Sequence, residues 1–415
     1  MSSSPSEAAA ASRSDAPGDS VIAAANERRL IVTLALAAFG SAMSMRVADA
    51  QLPALGNAFD VGLAGAAQVI TVFSVAYGLL QLAYGPLGDR HGKWRMVTLA
   101  VSASTVTALA CAVAPGFTVL LVARAAAGAT CAGIIPLSMA WIGDAVSYDR
   151  RQTVLARFLT GQIAGMAAGQ WLGGIAADYF NWRMPFVLLT VCFLVSGVFL
   201  WRTRALALNV APHAARSGRL LVEAGYVLRK PWAWVVLGSV FAEGMILYGP
   251  FAFLATHFHL HAGVSLTVAG ALVTSYALGG LVFAATSRRL VPRLGETGLS
   301  RGGGVLMLLG LLLAAVSPVW WTAPLACVAA GLGFYMFHNT LQTNATQMAP
   351  QARGLAVSLF ASCFFLGQTA GVAIASLGAE RYGTLAVIAA GAVGVLVVAF
   401  VFAALRARAD GVAAA

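Results

Sequence analysis

Four ionisable residues interrupt stretches that are otherwise apolar: Arg46, Asp49, Arg124 and Glu243. A charge near the centre of a bilayer costs roughly 2.5–3.5 kcal/mol on insertion scales, so each of these side chains needs a partner or water. Glu243 lies about 16 Å into its stretch at the helical rise per residue, close to mid-membrane. A carboxylate there either loads and releases a proton as its surroundings alternate, or stays a neutral, hydrogen-bonded core acid. Arg124 lies roughly 10 Å in from the outer start of its stretch and Asp49 near the outer end of another, so contact between them is feasible. Such a pair either couples transport and orients a substrate or is static and fixes helix packing. Arg46, one turn before Asp49, is a second partner for it or a seat for an anionic substrate.

Two polar clusters accompany these charges. In His338-Asn339-x-x-Gln342, His338 and Gln342 are four residues apart and share a helix face, where they line a cavity or bond a neighbouring helix. His257, His259 and His261 alternate in a spacing that presents imidazoles to a metal, but no fourth ligand accompanies them. They are expected to be solvated loop residues, and no metal site is expected. Cys111, Cys131, Cys192, Cys327 and Cys363 all lie in apolar runs without paired spacing, which argues against disulfides and metal clusters. No HExxH, GxSxG or acidic metal cluster supports an enzyme, and no Walker loop supports ATP as energy source. No cofactor is expected beyond a proton gradient.

The elements that must position these residues follow from composition. Of 415 residues, 60% are hydrophobic and only 10% charged, with a mean hydropathy of +0.82. Roughly a quarter of an ordinary soluble domain is charged. Twelve apolar segments lie between Leu30 and Leu405, the ninth, Gly303–Val316, being short. Strict alternation is missing, and backbone groups in lipid must be satisfied internally, so the segments are helices. The fold class expected is therefore an all-α membrane protein of twelve transmembrane helices. The net charge of +11 forms no continuous basic face, which excludes nucleic acid as a partner. Numbered from a cytoplasmic N-terminus, all but four of the 26 Lys and Arg fall on that side, the exceptions being Arg183 and Arg381 opposite and Arg46 and Arg124 within spans. That asymmetry puts both termini in the cytoplasm.

The longest polar connection follows the sixth segment. The organisation expected is a disordered cytoplasmic tail (1–28), a six-helix bundle (29–201), a cytoplasmic linker (202–230), a second six-helix bundle (231–406) and a short tail (407–415). The halves echo each other: Gly161-Gln162-x-x-Gly165 recurs as Gly367-Gln368-x-x-Gly371 at an offset of 206, and the loop around Gly92 has a worn counterpart around Gly295. Paired halves around a midplane site are a common transporter architecture.

The loop Gly85-Pro86-Leu87-Gly88-Asp89-Arg90-His91-Gly92-Lys93-Trp94-Arg95 resembles the signature loop of the major facilitator superfamily, G-x-x-x-D-R-x-G-R-R. Gly85 and Gly92 permit a tight turn and close helix approach, while Asp89, next to Arg90, can bond a neighbouring helix end or an Arg and latch one conformation. Arg124-x-x-x-Gly128 resembles an element in which the family's Arg is linked to proton coupling. Gly165-x-x-x-Gly169-Gln170-x-x-Gly173-Gly174 is similar to the element of the drug/proton antiporter branch, with Gln170 where that branch has proline. Asp49-Ala50-Gln51-Leu52-Pro53-Ala54-Leu55 resembles the bicyclomycin/chloramphenicol-resistance type of exporter, and Trp182-Arg183-x-x-Phe186 is common in the superfamily. The resemblance implies two pseudo-symmetric bundles working by alternating access in a bacterial inner membrane. It further implies a monomer that exports small organic compounds or drugs by proton antiport. Proton-coupled uptake of a small organic anion is the alternative within transport, and a membrane receptor or enzyme the alternative outside it.

Overall fold

The computed structural model describes residues 17–208, 220–317 and 319–414, and these are almost entirely helical. Nine helical stretches among them are long and apolar enough to cross a membrane. Two of the nine, Leu266–Val316 and Pro350–Ala409, each hold two spans. The first turns back at Gly295 (φ 60°, ψ −177°) and the second at Gly383 (φ 83°, ψ 162°), both in the left-handed region that lacks a penalty only for glycine. The glycine-rich helix Tyr148–Tyr179 is the remaining, fifth span, which makes twelve.

The first span is Pro17–Arg46 with a broken end, Asp49–Gln51 and Leu52–Phe59. Spans two to four are Leu63–His91, Lys93–Ala112 and Phe117–Cys131 continued by Ile134–Ala145. The sixth is Met184–Arg202. The seventh is Pro231–Phe251 continued by Leu254–Ala262, and the eighth starts at Leu266–Thr274. Residues 276–294 complete the eighth and 296–316 form the ninth, which is longer than its apolar core of Gly303–Val316 suggests. The tenth is Ala323–Gln347, and the last two lie in Arg353–Ala414 on either side of Gly383.

Helix already begins at Pro17, inside the segment expected as a disordered tail. Leu220–Leu228 is likewise helical within the expected linker. Arg204–Leu208 is helical too, whereas residues 1–16 of the tail, with Arg13, and 209–219 of the linker, with Arg216 and Arg219, lie outside the described residues.

Buried apolar side chains form two main cores, one around Leu34, Phe73, Leu120, Phe158 and Phe193, the other around Val240, Leu247, Met307, Phe337 and Phe402. Each is centred on one six-helix half, but the two interlock: Ala252, Phe253 and Val372 of the second half join the first core, and Ala50 of the first half joins the second. Lipid removes the hydrophobic drive between helices, so close backbone packing has to supply their attraction. The glycine stripe of the fifth span does this. A Cβ on Gly161, Gly165, Gly169 or Gly173 would run into the carbonyl oxygen of Ala35, Phe39, Met43 or Val47 of the first span. In the second half Gly367 and Gly371 meet the carbonyls of Phe241 and Met245 in the same way. Ala35 and Phe39 map onto Phe241 and Met245 at the offset of 206 that maps Gly161 and Gly165 onto Gly367 and Gly371. The duplication seen in sequence is thus a duplication of contacts.

The fifth span also reaches the other half. Gly174 packs on the backbone of Leu266, Gly270 on that of Gln170, and Thr274 Oγ1 donates to the Ala167 carbonyl at 3.2 Å. With twelve spans both termini share one end of the bundle, and these contacts lie toward the opposite, distal end. Deeper in, Tyr77 and Gly78 of the second span meet Phe365 of the eleventh, the rings 4.4 Å apart.

Candidate functional site

The break in the first span positions its two charges. Helix ends at Arg46, and Gln51 Nε2 donates to the Val47 carbonyl at 2.7 Å across the tight turn, before Pro53 opens the next helix in its first turn. Arg46 Nη1 thereby reaches Asp49 Oδ2 at 3.4 Å with both side chains buried. The guanidinium lies over the ring of Tyr248, 4.4 Å from its centroid, and beside Phe251 at 5.5 Å, both on the seventh span. A cation–π contact therefore crosses between the halves. Arg46 Nε and Asp49 Oδ1 have no hydrogen-bond partner among the described residues.

Arg124 is fully buried and does not pair with Asp49. Its Nε donates to the Val69 carbonyl at 3.2 Å, its Nη1 to the Ser44 carbonyl at 3.1 Å, and its face covers Phe73 at 4.2 Å. The feasible Asp49–Arg124 contact is replaced by Asp49–Arg46, because Arg46 stands one turn earlier on the same helix while Arg124 is held by backbone oxygens of the first two spans. Arg124 thus ties three spans of the first half together.

Glu243 is fully buried in the seventh span and bonded to His338 of the tenth, with Oε2 and Nδ1 2.7 Å apart. The imidazole stacks on Phe334 at 4.8 Å and is flanked by Phe364 at 5.0 Å and Phe360 at 5.4 Å. Glu243 Oε1 has no hydrogen-bond partner among the described residues. Asn339 is half-buried, and Gln342, one turn beyond His338, is exposed. Tyr248 joins the two clusters: Arg46 covers it on one side, and its ring meets Phe334 at 5.4 Å and Phe364 at 5.3 Å, the rings that enclose His338. A continuous path of contacts runs from Asp49 through Arg46, Tyr248 and the Phe cage to His338 and Glu243, across both halves. Gln170 and Gln368 add buried amides with neither side-chain polar atom bonded among the described residues. In sequence both stand as motif positions, and an amide within an apolar span is the signal that marks them.

His257 departs from the solvated-loop expectation. It is helical and buried, with Nδ1 2.9 Å from Thr384 Oγ1 and Nε2 3.1 Å from the Ala315 carbonyl, and it stacks on His261 at 4.2 Å. His259 Nδ1 lies 2.7 Å from the Val264 carbonyl. The seventh helix extends through Ala262, which carries His257 into the bundle, leaves His259 half-buried and leaves His261 exposed.

The signature loop also differs in detail. Gly92 takes φ 91° and caps the second span, so a side chain there would be strained. A Cβ on Gly85 would meet nothing within 4 Å, so no close approach depends on it. Asp89 and Arg90 are exposed. Lys93 binds Asp144 at the end of the fourth span and is 3.8 Å from Asp89. The second half repeats the arrangement with opposite sign: after Gly295, Glu296 accepts from Arg406 Nε at 2.6 Å and from Asn344 Nδ2 at 2.9 Å. Asn344 follows Asp144 by 200 residues.

Comparison with known proteins places this geometry in a family. The Major Facilitator Superfamily pattern matches residues 34–372 and 261–414. The chain is 23% identical over 361 residues to the "Inner membrane transport protein YnfM" of Escherichia coli (strain K12), covering 85% of each. It is 26% identical over 182 residues to the "Multidrug resistance protein Stp" of Mycobacterium tuberculosis (strain CDC 1551 / Oshkosh), 41% of this chain and 34% of that one. Among solved structures, the nucleoside transporter NupG superposes with a TM-score of 0.74 at 13% identity, covering 90% of this chain and 99% of that one. A bacterial homologue of the human lysosomal transporter Spinster superposes with a TM-score of 0.73 at 18% identity, covering 92% and 97%. The chain belongs to the major facilitator superfamily, and it is an integral membrane transporter, not an enzyme.

Proposed function

We propose that the protein exports small organic compounds in exchange for protons, by alternating access of its two halves around the Arg46–Tyr248–His338–Glu243 path. The observation that carries the reading is the buried Glu243–His338 pair with its free carboxylate oxygen. A buried acid whose second oxygen is unbonded is suited to take a proton when water reaches it and to return it when the surroundings change. The aromatic rings around it supply an apolar wall with a few polar groups, the general character of a small-molecule site. Asp49, paired with Arg46 on the same span of the first half, senses the same rearrangement, since rocking the halves must part Arg46 from Tyr248.

Export is supported by the glycine stripe of the fifth span and by similarity to Stp, named for multidrug resistance. The anion-uptake alternative needs a guanidinium free to hold the anion. Arg124 is engaged by Val69 and Ser44, and Arg46 by Asp49, so either would have to exchange partners first. The basic-residue asymmetry supports a topology with both termini in the cytoplasm, and similarity to the inner membrane transport protein YnfM supports a bacterial inner membrane as the location. The distal contacts then close the periplasmic side, and the exposed Gln342 and half-buried Asn339 lie toward the cytoplasmic opening. The protein works as a monomer with no cofactor.

The test is flux in proteoliposomes under an imposed pH gradient. Solute moving against the proton flow supports export; solute accumulating in the same direction as protons overturns it and selects symport. A second expectation concerns the latch: Asp144→Asn will slow initial transport rates more than Asp89→Asn, because Asp144 holds Lys93 in the tighter pair. Equal slowing in the two variants, measured on two solutes, would contradict the assignment.

A further inference from the structure

Two carboxylates at the distal end reach from one half to the other, and both end on helix N-termini. Asp178, closing the fifth span, accepts from the backbone amide of Thr267 at 2.6 Å through Oδ2 and of Leu266 at 3.2 Å through Oδ1. These are the first amides of the eighth span, which belongs to the second half. Glu380, near the end of the eleventh span, accepts from the Ala64 amide at 2.7 Å, in the first turn of the second span, which belongs to the first half. Gly62 leaves the room: a Cβ there would come within 2.5 Å of Glu380 Oε1. Donor and recipient are displaced together, Asp178 to Glu380 by 202 residues and Ala64 to Leu266 by 202. The two contacts are one contact repeated by the internal two-fold relation.

We propose that Asp178 and Glu380 are a symmetric pair of clasps that hold the distal gate shut, and that both must let go before the cavity can open on that side. The proposal rests on alternating access but on neither proton coupling nor the direction of transport. The physical basis is that the first amides of a helix have no intrahelical acceptor and carry partial positive charge, so a carboxylate placed on them bonds orphan donors and meets the favourable end of the dipole. Each clasp crosses between the halves, so its bonds exist only while the distal ends touch. Because the relation is two-fold, a rocking motion about the axis between the halves lengthens both together. Two clasps on opposite sides of that axis also resist tilting that would open one edge alone. No ligand is required, and no other element has to move for the clasps to form.

The test is a distance measurement on the full chain in lipid nanodiscs. Spin labels on Asn57→Cys and Leu260→Cys, exposed positions at the distal ends of the two halves, report gate opening once the native cysteines are replaced. Asp178→Asn and Glu380→Gln should each raise the ratio of long to short distances roughly two- to fivefold, the range of one carboxylate–dipole contact. The double variant should show the product of the two shifts. Asp60→Asn removes a carboxylate from the same end without touching a clasp, and asparagine tolerates the left-handed φ of 52° there, so its distribution should match the parent. An unchanged distribution in both single variants, or an equal shift in Asp60→Asn, overturns the proposal. If the double variant does not purify, the singles decide it. The readout needs neither substrate nor a proton gradient, so its failure leaves the flux experiments on Glu243 standing, and theirs leaves the clasps standing.

Discussion

Glu243→Gln will bring proton-driven transport in proteoliposomes down to the level of protein-free vesicles, while expression and melting temperature stay near those of the parent. The substitution keeps shape and keeps an oxygen that accepts from the His338 ring, so the hydrogen bond between the seventh and tenth spans survives. What it removes is the ability to change charge. If the proton rides on Glu243, net flux under a pH gradient fails because one half of the exchange has no carrier. Substrate counterflow at equal pH, which needs no net proton movement, should persist. His338→Ala should be worse on stability, since it leaves the buried carboxylate without its partner and opens a hole among Phe334, Phe360 and Phe364. The solute for these assays comes from thermal-shift screening, because any binder stabilises the folded state it selects. Net transport by Glu243→Gln that equals the parent across a pH series would remove this residue from the mechanism.

The reach of the sequence differed between fold and site for physical reasons. Spans are written in hydropathy, and each half is long enough to repeat its pattern, so the match of Gly161/Gly165 with Gly367/Gly371 is legible without their contacts with the first and seventh spans. Ionisable residues within spans stand out against apolar neighbours, which is why Arg46, Asp49, Arg124 and Glu243 were all named. Their pairing was not legible. Asp49 had two arginines within reach, and the choice between them depends on the 3₁₀ turn after Arg46 and on which helix faces Val69 and Ser44 present to Arg124. Glu243 and His338 are 95 residues apart, and nothing in one chain says that the seventh and tenth spans meet. The contacts of Asp178 and Glu380 are not legible in sequence because their partners are backbone amides, which no residue type announces. The burial of His257 is not legible because the seventh helix runs past its apolar core, and a helix end inside a bundle reads like a loop in sequence; His261, also helical, is exposed.

The duplication extends to packing but not to the buried charges, which are unevenly shared. Packing repeats between the halves, since both fifth and eleventh spans need glycine against a facing backbone. Chemistry does not: the position 206 residues after Asp49 is Ala255, and that after Arg46 is Ala252. The first half contributes the buried cations and Asp49, the second contributes Glu243, His338 and the aromatic cage. A site assembled from unlike halves changes its surroundings whenever the halves rock, which is the condition for binding a proton on one side and releasing it on the other.

Gly165→Ala and Gly371→Ala will each destabilise the protein by about 3 kcal/mol, the upper part of the range for overpacking, and they will do so to a similar extent. In both cases the added methyl group lands on a carbonyl oxygen, that of Phe39 or Met245. Because the obstacle is backbone, no rotamer change can clear it; the helices must part. Parting them loses dispersion contacts along the whole stripe, and in lipid no hydrophobic gain compensates. Gly85→Ala is the comparison, a glycine with no atom within 4 Å of the new Cβ, and it should melt with the parent. The measurement is thermal unfolding of the purified protein in detergent, followed by the loss of monodisperse material. Were Gly165→Ala to melt alongside Gly85→Ala, the first and fifth spans would not depend on the close approach. Were Gly371→Ala to be harmless while Gly165→Ala is not, the two halves would be held together differently despite their equal contacts. The fifth span carries an additional face, with Gly174 against Leu266 of the other half. Gly174→Ala should therefore weaken the distal closure as well as the fold, lowering the melting temperature and lengthening the distance between the distal ends in the same variant.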